Sequence, residues 1–245
     1  NERNTMTNYD LVIMCHPKDE LKLQYSLESC IKFLNPQPEN IYVVSPTKLC
    51  EPPVINILDE DAIAIKKEDI KFKRNNWIYQ QFVKLFQDFT KNDKYLCVDC
   101  DLIFNQSVPI GDCSTLFISD RNQCHLPYFR FMDKFCGLEK QVGFTFINDF
   151  MMFDKKICKE ITGDIHKFLD FCNENLTDDF LLAEFELYGN YICSHHPELV
   201  TFKRTKTQLN GKPASIPWLK EEIENLIEVN SKDKSLDLFT IHSWT

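Results

Sequence analysis

Two carboxylates stand two residues apart in Tyr95-Leu-Cys-Val-Asp99-Cys100-Asp101-Leu-Ile-Phe104. The apolar run before them reads as a buried strand, so Asp99 and Asp101 leave its carboxyl end, the place where ligands bind in open α/β sheets. In an extended chain residues i and i+2 project to the same side, which would turn both carboxylates toward one hard divalent cation. A cation held by one or two carboxylates keeps positions open for phosphate oxygens, and it can neutralise a pyrophosphate leaving group. The plainer account of the same residues is that one Asp caps a turn and the other is solvated.

The segment feeding this strand reads as a helix from Trp77 to about Lys91, with Ile78, Phe82, Leu85, Phe86 and Phe89 on a broad apolar face. Beside that face runs a stripe of Trp77, Gln80, Gln81 and Lys84, spaced i, i+3, i+4 and i+7. A Lys and two amides packed next to the acidic strand suit phosphate or sugar hydroxyls; the alternative is an ordinary solvated face with Trp77 at the edge of the core. Asp149 lies inside the apolar run Phe144–Phe153, where burying a charge needs a purpose or a partner. Glu184, Tyr188 and Tyr191 are spaced to share one helix face. Asp178-Asp179 suits the start of that helix, and His195-His196 before Pro197 suits its end, where the dipole favours each charge.

The flanking sequence says what would position these residues. Tyr9 to Cys15 is a short apolar run closed by His16-Pro17-Lys18-Asp19, a buried strand ending in a loop. Leu23, Leu27, Cys30, Ile31 and Leu34 recur at helical spacing until Pro36 and Pro38, and Ile41-Tyr-Val-Val-Ser45 is a second strand closed by Pro46. Strand, helix, strand is a βαβ unit, which favours a parallel sheet covered by helices. Residues 46–75 read as irregular. Beyond the acidic motif, strands are expected near Thr115–Ser119 and over Phe144–Phe153, and helices at about 155–174 and 178–193. An amphipathic helix with Leu219, Ile223, Leu226 and Ile227 precedes a final strand, Leu236–Ile241. With no repeat, low-complexity tract or linker, one α/β domain is expected over residues 1–245.

Composition agrees with a packed core. Of 245 residues 43% are hydrophobic, with 20 Phe, far more apolar surface than a disordered chain carries. No run approaches the ~20 apolar residues of a transmembrane helix. A formal net charge of −9 repels a phosphate backbone on average, and no dense basic patch stands out, so a nucleic-acid partner is not expected. Eleven Cys are scattered, and only Cys97 and Cys100 form C-x-x-C, with no second pair to complete a zinc site. Their odd number and the absence of a signal peptide at the first residues lead to the expectation of a reducing, cytoplasmic compartment.

Several further stretches, taken in order with these, carry a resemblance. They are Asp10-Leu-Val-Ile with His16-Pro17-Lys18-Asp19, Ile41-Tyr-Val-Val-Ser45-Pro46, Trp77-Ile-Tyr-Gln80-Gln81-Phe-Val-Lys84-Leu85, and Asp99-Cys100-Asp101. His125-Leu-Pro127-Tyr128-Phe129, Met151-Met152-Phe153 and Glu184-Phe185-Glu186-Leu-Tyr188 follow. The ordered set, over most of residues 9–200, resembles metal-dependent nucleotide-sugar glycosyltransferases of the GT-A fold, and among them a poorly characterised bacterial and viral group. The resemblance implies a Rossmann-like sheet with a nucleotide-binding part at about 9–105 and an acceptor side at about 106–245. It implies Mn²⁺ or Mg²⁺ on Asp101, with Asp99 on ribose, metal or both, and the nucleotide near His16, Lys18 and Asp19. Some members supply a further metal ligand from a C-terminal His, which makes His242 a candidate; the alternative is a surface His near a frayed terminus.

The expected reaction is transfer of a sugar from a nucleoside-diphosphate donor, UDP-sugar favoured, to a hydroxyl of a glycan, lipopolysaccharide or glycoprotein. His125 and Tyr128 would line the acceptor side. An inverting transferase needs a carboxylate base; the candidates are Asp149, Glu184 and Glu186, with Glu184, favoured by the resemblance, and Asp149 ranked level ahead of Glu186. Two rivals remain. Haloacid-dehalogenase-type phosphatases also place D-x-D after a strand, but usually the first strand, and with Thr or Val where Ile103 stands here. A transferase fold used only for binding would be favoured if Asp99 and Asp101 held no metal.

Overall fold

Leu11, Val12 and Ile13 are all buried, yet they serve two different cores: Leu11 and Ile13 pack on one side of a sheet and Val12 on the other. The period-two alternation of a strand explains this, and a strand apolar on both faces belongs in the middle of a helix-covered parallel sheet. The computed structural model describes residues 8–110, 115–119 and 124–244, so Cys113 lies outside the described residues.

In chain order, β1 (Asp10–Met14) leads through a 3-10 turn into α1 (Glu20–Phe33). The strands β2 (Leu34–Asn35), β3 (Asn40–Ser45) and β4 (Ile55–Leu58) precede α2 (Asn75–Phe86). Then come β5 (Lys94–Asp99), β6 (Leu102–Phe104), β7 (Val108–Pro109), β8 (Thr115–Ser119), α3 (Leu126–Cys136) and β9 (Phe150–Asp154). The chain continues with α4 (Lys155–Thr162), α5 (Ile165–Asn175), α6 (Glu184–His195), β10 (Thr201–Thr205), β11 (Thr207–Pro213), α7 (Lys220–Ser231) and β12 (Leu238–Trp244).

The central sheet has the order β4-β3-β1-β5-β9, parallel except for β9, which runs antiparallel to β5. The chain moves outward from β1 to β3 on one side and resumes at β5 on the other. The crevice at the carboxyl ends of β1 and β5 is therefore the topological switch point, where open α/β sheets bind ligands. Leu23 and Cys30 of α1 join the core with Leu11, Ile13, Leu96 and Val98. On the opposite face Ile78, Phe82 and Val83 of α2 pack with Val12, Tyr42, Tyr95 and Cys97, extended by Phe168 of α5 and Phe185 and Tyr188 of α6. A second small sheet, β11-β12-β6, has β12 antiparallel to β6. No helix among the described residues is long and apolar enough to cross a membrane.

Several local expectations are corrected. The span 46–75 holds β4 and two 3-10 turns; with four residues, none fully buried, β4 is too short for periodicity to reveal. Helix α2 stops at Phe86 rather than near Lys91, because Gln87 leaves helical geometry and its side chain closes a turn with Thr90 through two hydrogen bonds. The helix expected over 155–174 is two, broken at Gly163 (φ 63°), with the Asp164 carboxylate accepting from the His166 and Lys167 amides to start α5. Asp178 and Asp179 do not begin a helix; they sit in an exposed turn, and α6 starts at Glu184. The strand expected over Phe144–Phe153 begins only at Phe150. Helix α3 was not expected, although Pro127 at its start and Gly137 in the left-handed conformation at its end are ordinary helix punctuation.

Candidate functional site

A cleft of about 500 Å³ opens at the switch point. His16, Lys18 and Asp19 reach it from the loop after β1, Ser45 and Pro46 from the end of β3, Trp77 and Gln80 from α2, Asp99 and Asp101 from β5, and His242 from β12. Three of these segments meet because the parallel strands β1, β3 and β5 deliver their carboxyl ends to one edge; the start of α2 and β12 of the second sheet complete the cleft. His16 is fixed by capping the 3-10 turn, its Nδ1 accepting the Lys18 amide at 3.3 Å.

Asp99 and Asp101 are held by different partners. The Lys84 ammonium donates to Asp99 Oδ1 at 2.8 Å and to Glu184 Oε1 at 2.7 Å. It also lies 4.4 Å from the centre of the Phe185 ring. Its side chain is only 7% exposed, against 34% for Asp99 and 9% for Glu184. Burial works against the Lys84 charge, but the Asp99 and Glu184 carboxylates outweigh it and hold the ammonium above its ordinary pKa. The Asp99 amide donates to the Asp149 carbonyl at 2.9 Å. Asp149 is buried, in the left-handed region at φ 61°, an uncommon conformation for a residue with a side chain.

Asp101 sits in the turn after β5. Its Oδ2 lies 2.7 Å from His242 Nδ1, and its carbonyl accepts the Ile241 amide at 2.9 Å. Burial alone would raise the Asp101 carboxyl; the His242 contact, with Lys22 nearby, brings it below the usual carboxylate range. Burial would likewise lower His242, and Asp101, followed by the charges of Asp149 and Asp99, raises it. Lys22 was not foreseen: it is buried in α1, where its ammonium joins Asp19 at 2.8 Å and Ser243 Oγ at 2.9 Å, tying the first helix to the last strand.

The expected stripe on α2 therefore splits. Trp77 and Gln80 line the cleft, whereas Gln81 and Lys84 are buried beneath it and do not reach it. Gln81 Oε1 accepts the Glu184 amide at 3.1 Å, and its Nε2 has no partner among the described residues. The expectation that Gln81 and Lys84 face a ligand directly is corrected: a cation between two carboxylates is better satisfied inside. Glu184 and Asp149 are both set back from the cleft lining. His242 is in the cleft on β12, not on a frayed surface end. His125 and Tyr128, whose rings lie 4.5 Å apart, line a neighbouring polar cavity with Lys73, Arg74 and Asp178. Burial, then the Glu184 carboxylate, raises the Tyr128 hydroxyl pKa.

Four cleft carboxylates carry a cation or imidazole: Asp19 with Lys22, Asp59 with Lys67, Asp99 with Lys84, and Asp101 with His242. Lys67 and Asp59, from the span read as irregular, had no sequence signal beyond their charge. Lys18 lines the same cleft and has no carboxylate partner among the described residues. Carboxylate and imidazole are ligand types that hard or borderline divalent cations take. Among the described residues no group of three or more His, Cys, Asp or Glu side chains is placed to hold a metal ion. In comparisons with known proteins, the chain matches no family model and no curated sequence.

Proposed function

We propose that this protein is a metal-dependent, GT-A-type glycosyltransferase that moves a sugar from a nucleoside-diphosphate donor, UDP-sugar favoured, to a hydroxyl of a glycan, lipopolysaccharide or glycoprotein. The observation that carries the reading is the pair Asp99 and Asp101 on one cleft at the switch point of a mostly parallel sheet, together with the indole of Trp77 and with Lys18, which has no carboxylate partner among the described residues. A mostly parallel α/β sheet supports the GT-A reading.

Asp99 and Asp101 would hold Mn²⁺ or Mg²⁺, with His242 as a further ligand. A site of few protein ligands suits a cation that keeps water and substrate phosphates in its other positions. When bound, the cation supplies positive charge against the diphosphate. The rest falls to the chain's own residues. Lys84 fixes the direction of Asp99 from beneath through their ion pair, with Glu184 as the second counter-charge, so we read Glu184 as a positioning residue rather than as the base. Lys18 adds a cation for phosphate oxygens, and Trp77 offers an aromatic face to a base or sugar.

The reading is tested by incubating the protein with Mn²⁺ and UDP-, GDP-, CDP- or ADP-hexoses and following nucleoside diphosphate release, with and without oligosaccharide acceptors. Release from one donor class, raised by an acceptor and lost with chelator, is expected. Release of inorganic phosphate from a phosphomonoester instead would favour the phosphatase reading.

A further inference from the structure

Arg74 closes the approach to α2, and its guanidinium lies 4.3 Å from the centre of the Trp77 ring and 5.9 Å from that of Phe72. It is exposed and lines the polar cavity of about 810 Å³ beside the cleft, together with Lys73, His125 and Tyr128. Neighbouring cations are engaged: Lys73 pairs with Asp178 at 2.6 Å and Lys67 with Asp59. Arg74 pairs with no carboxylate among the described residues. An Arg stacked on aromatic rings is held in orientation while its edge of N–H donors stays open, and that edge matches the two oxygens of a carboxylate or phosphate. Arg74 and Tyr128 line the same cavity, whose one carboxylate among the described residues, Asp178, is taken by Lys73.

We propose that this cavity is an anion subsite that selects an acidic saccharide, one bearing a carboxylate or phosphate group, as the acceptor. Arg74 grips the anionic group, while Tyr128 and His125 supply hydrogen bonds to neighbouring hydroxyls. Trp77 is shared between the two spaces, lining the nucleotide cleft while bracing Arg74, which places the acceptor next to the donor. The role as acceptor site rests on the transferase reading above; the anion subsite itself does not.

The test is ligand-observed NMR titration of the full chain with D-glucuronate, D-glucose 6-phosphate and D-glucose, alongside R74Q and R74K and a parallel titration of UDP with Mn²⁺. Both anionic sugars are expected to bind at least about tenfold more tightly than glucose, as charge-assisted hydrogen bonds imply. R74Q loses that preference, and R74K retains part of it. Preference for only one anion names carboxylate or phosphate as the group read. Equal binding of charged and neutral sugars, or an unchanged preference in R74Q with a wild-type melting curve, overturns the subsite. Anion binding without any nucleotide binding overturns the transferase reading and the acceptor role with it.

Discussion

Asp101 and His242 stand 141 positions apart and meet at 2.7 Å through Oδ2 and Nδ1. The final strand therefore completes the acidic edge of the cleft, with its backbone locked there as well by the Ile241 amide on the Asp101 carbonyl. The turn after β5 and the strand β12 form one structural unit. Asp101→Ala is expected to abolish Mn²⁺-dependent UDP binding while far-UV circular dichroism remains that of the wild type. Undiminished binding would contradict the proposed metal role of Asp101.

Lys84→Met leaves Asp99 and Glu184 facing each other without their shared cation. Breaking a buried pair this way costs about 3–5 kcal/mol, to be read as a lower midpoint in urea unfolding. Adding Glu184→Gln should recover part of the loss, because Asp99 is one-third exposed and can be solvated. A Lys84→Met protein as stable as wild type would show that the ammonium is not the anchor of this corner.

Gly189→Ala pits two effects against each other. Alanine gains about 1 kcal/mol of helix propensity, but its Cβ would stand 2.4 Å from the Phe146 ring. That ring is fully buried and has nowhere to move, and overpacking costs about 1–3 kcal/mol. The variant is expected to melt below wild type; a rise in melting temperature would mean that the α6 contact with Phe146 is loose.

Glu186 looks like a third candidate base by type but is fully employed. Its carboxylate accepts from Thr145 Oγ1 at 2.6 Å, the Phe146 amide at 3.1 Å and Asn190 Nδ2 at 3.0 Å. Glu186→Ala orphans a buried amide and should cost about 1–3 kcal/mol, with hydrogen exchange at Phe146 accelerating most. Unchanged exchange there would assign the amide another partner.

What was legible in the sequence follows physical strength of pattern. Leu11, Val12 and Ile13 form a run apolar on both faces, and α1 repeats at helical spacing, so β1, α1, β3 and β5 could be read nearly to their ends. The crevice at Asp99 and Asp101 follows from that order. Lys84 could not be placed: exposed and buried lysines look alike in sequence, and its partners lie 15 and 100 positions away. Asp149 was legible as a costly charge but not as a left-handed turn ahead of β9. Lys22 and Lys67 had no local pattern, and Arg74 gained meaning only once α2 set it over Trp77.

The most direct check is calorimetric titration of UDP, GDP, CDP and ADP into the protein with and without Mn²⁺. A single nucleoside diphosphate binding tightly only when the metal is present is the predicted result, and it names the donor class. No binding of any nucleotide under either condition would contradict the account and leave an α/β domain that serves as a binding module as the better description.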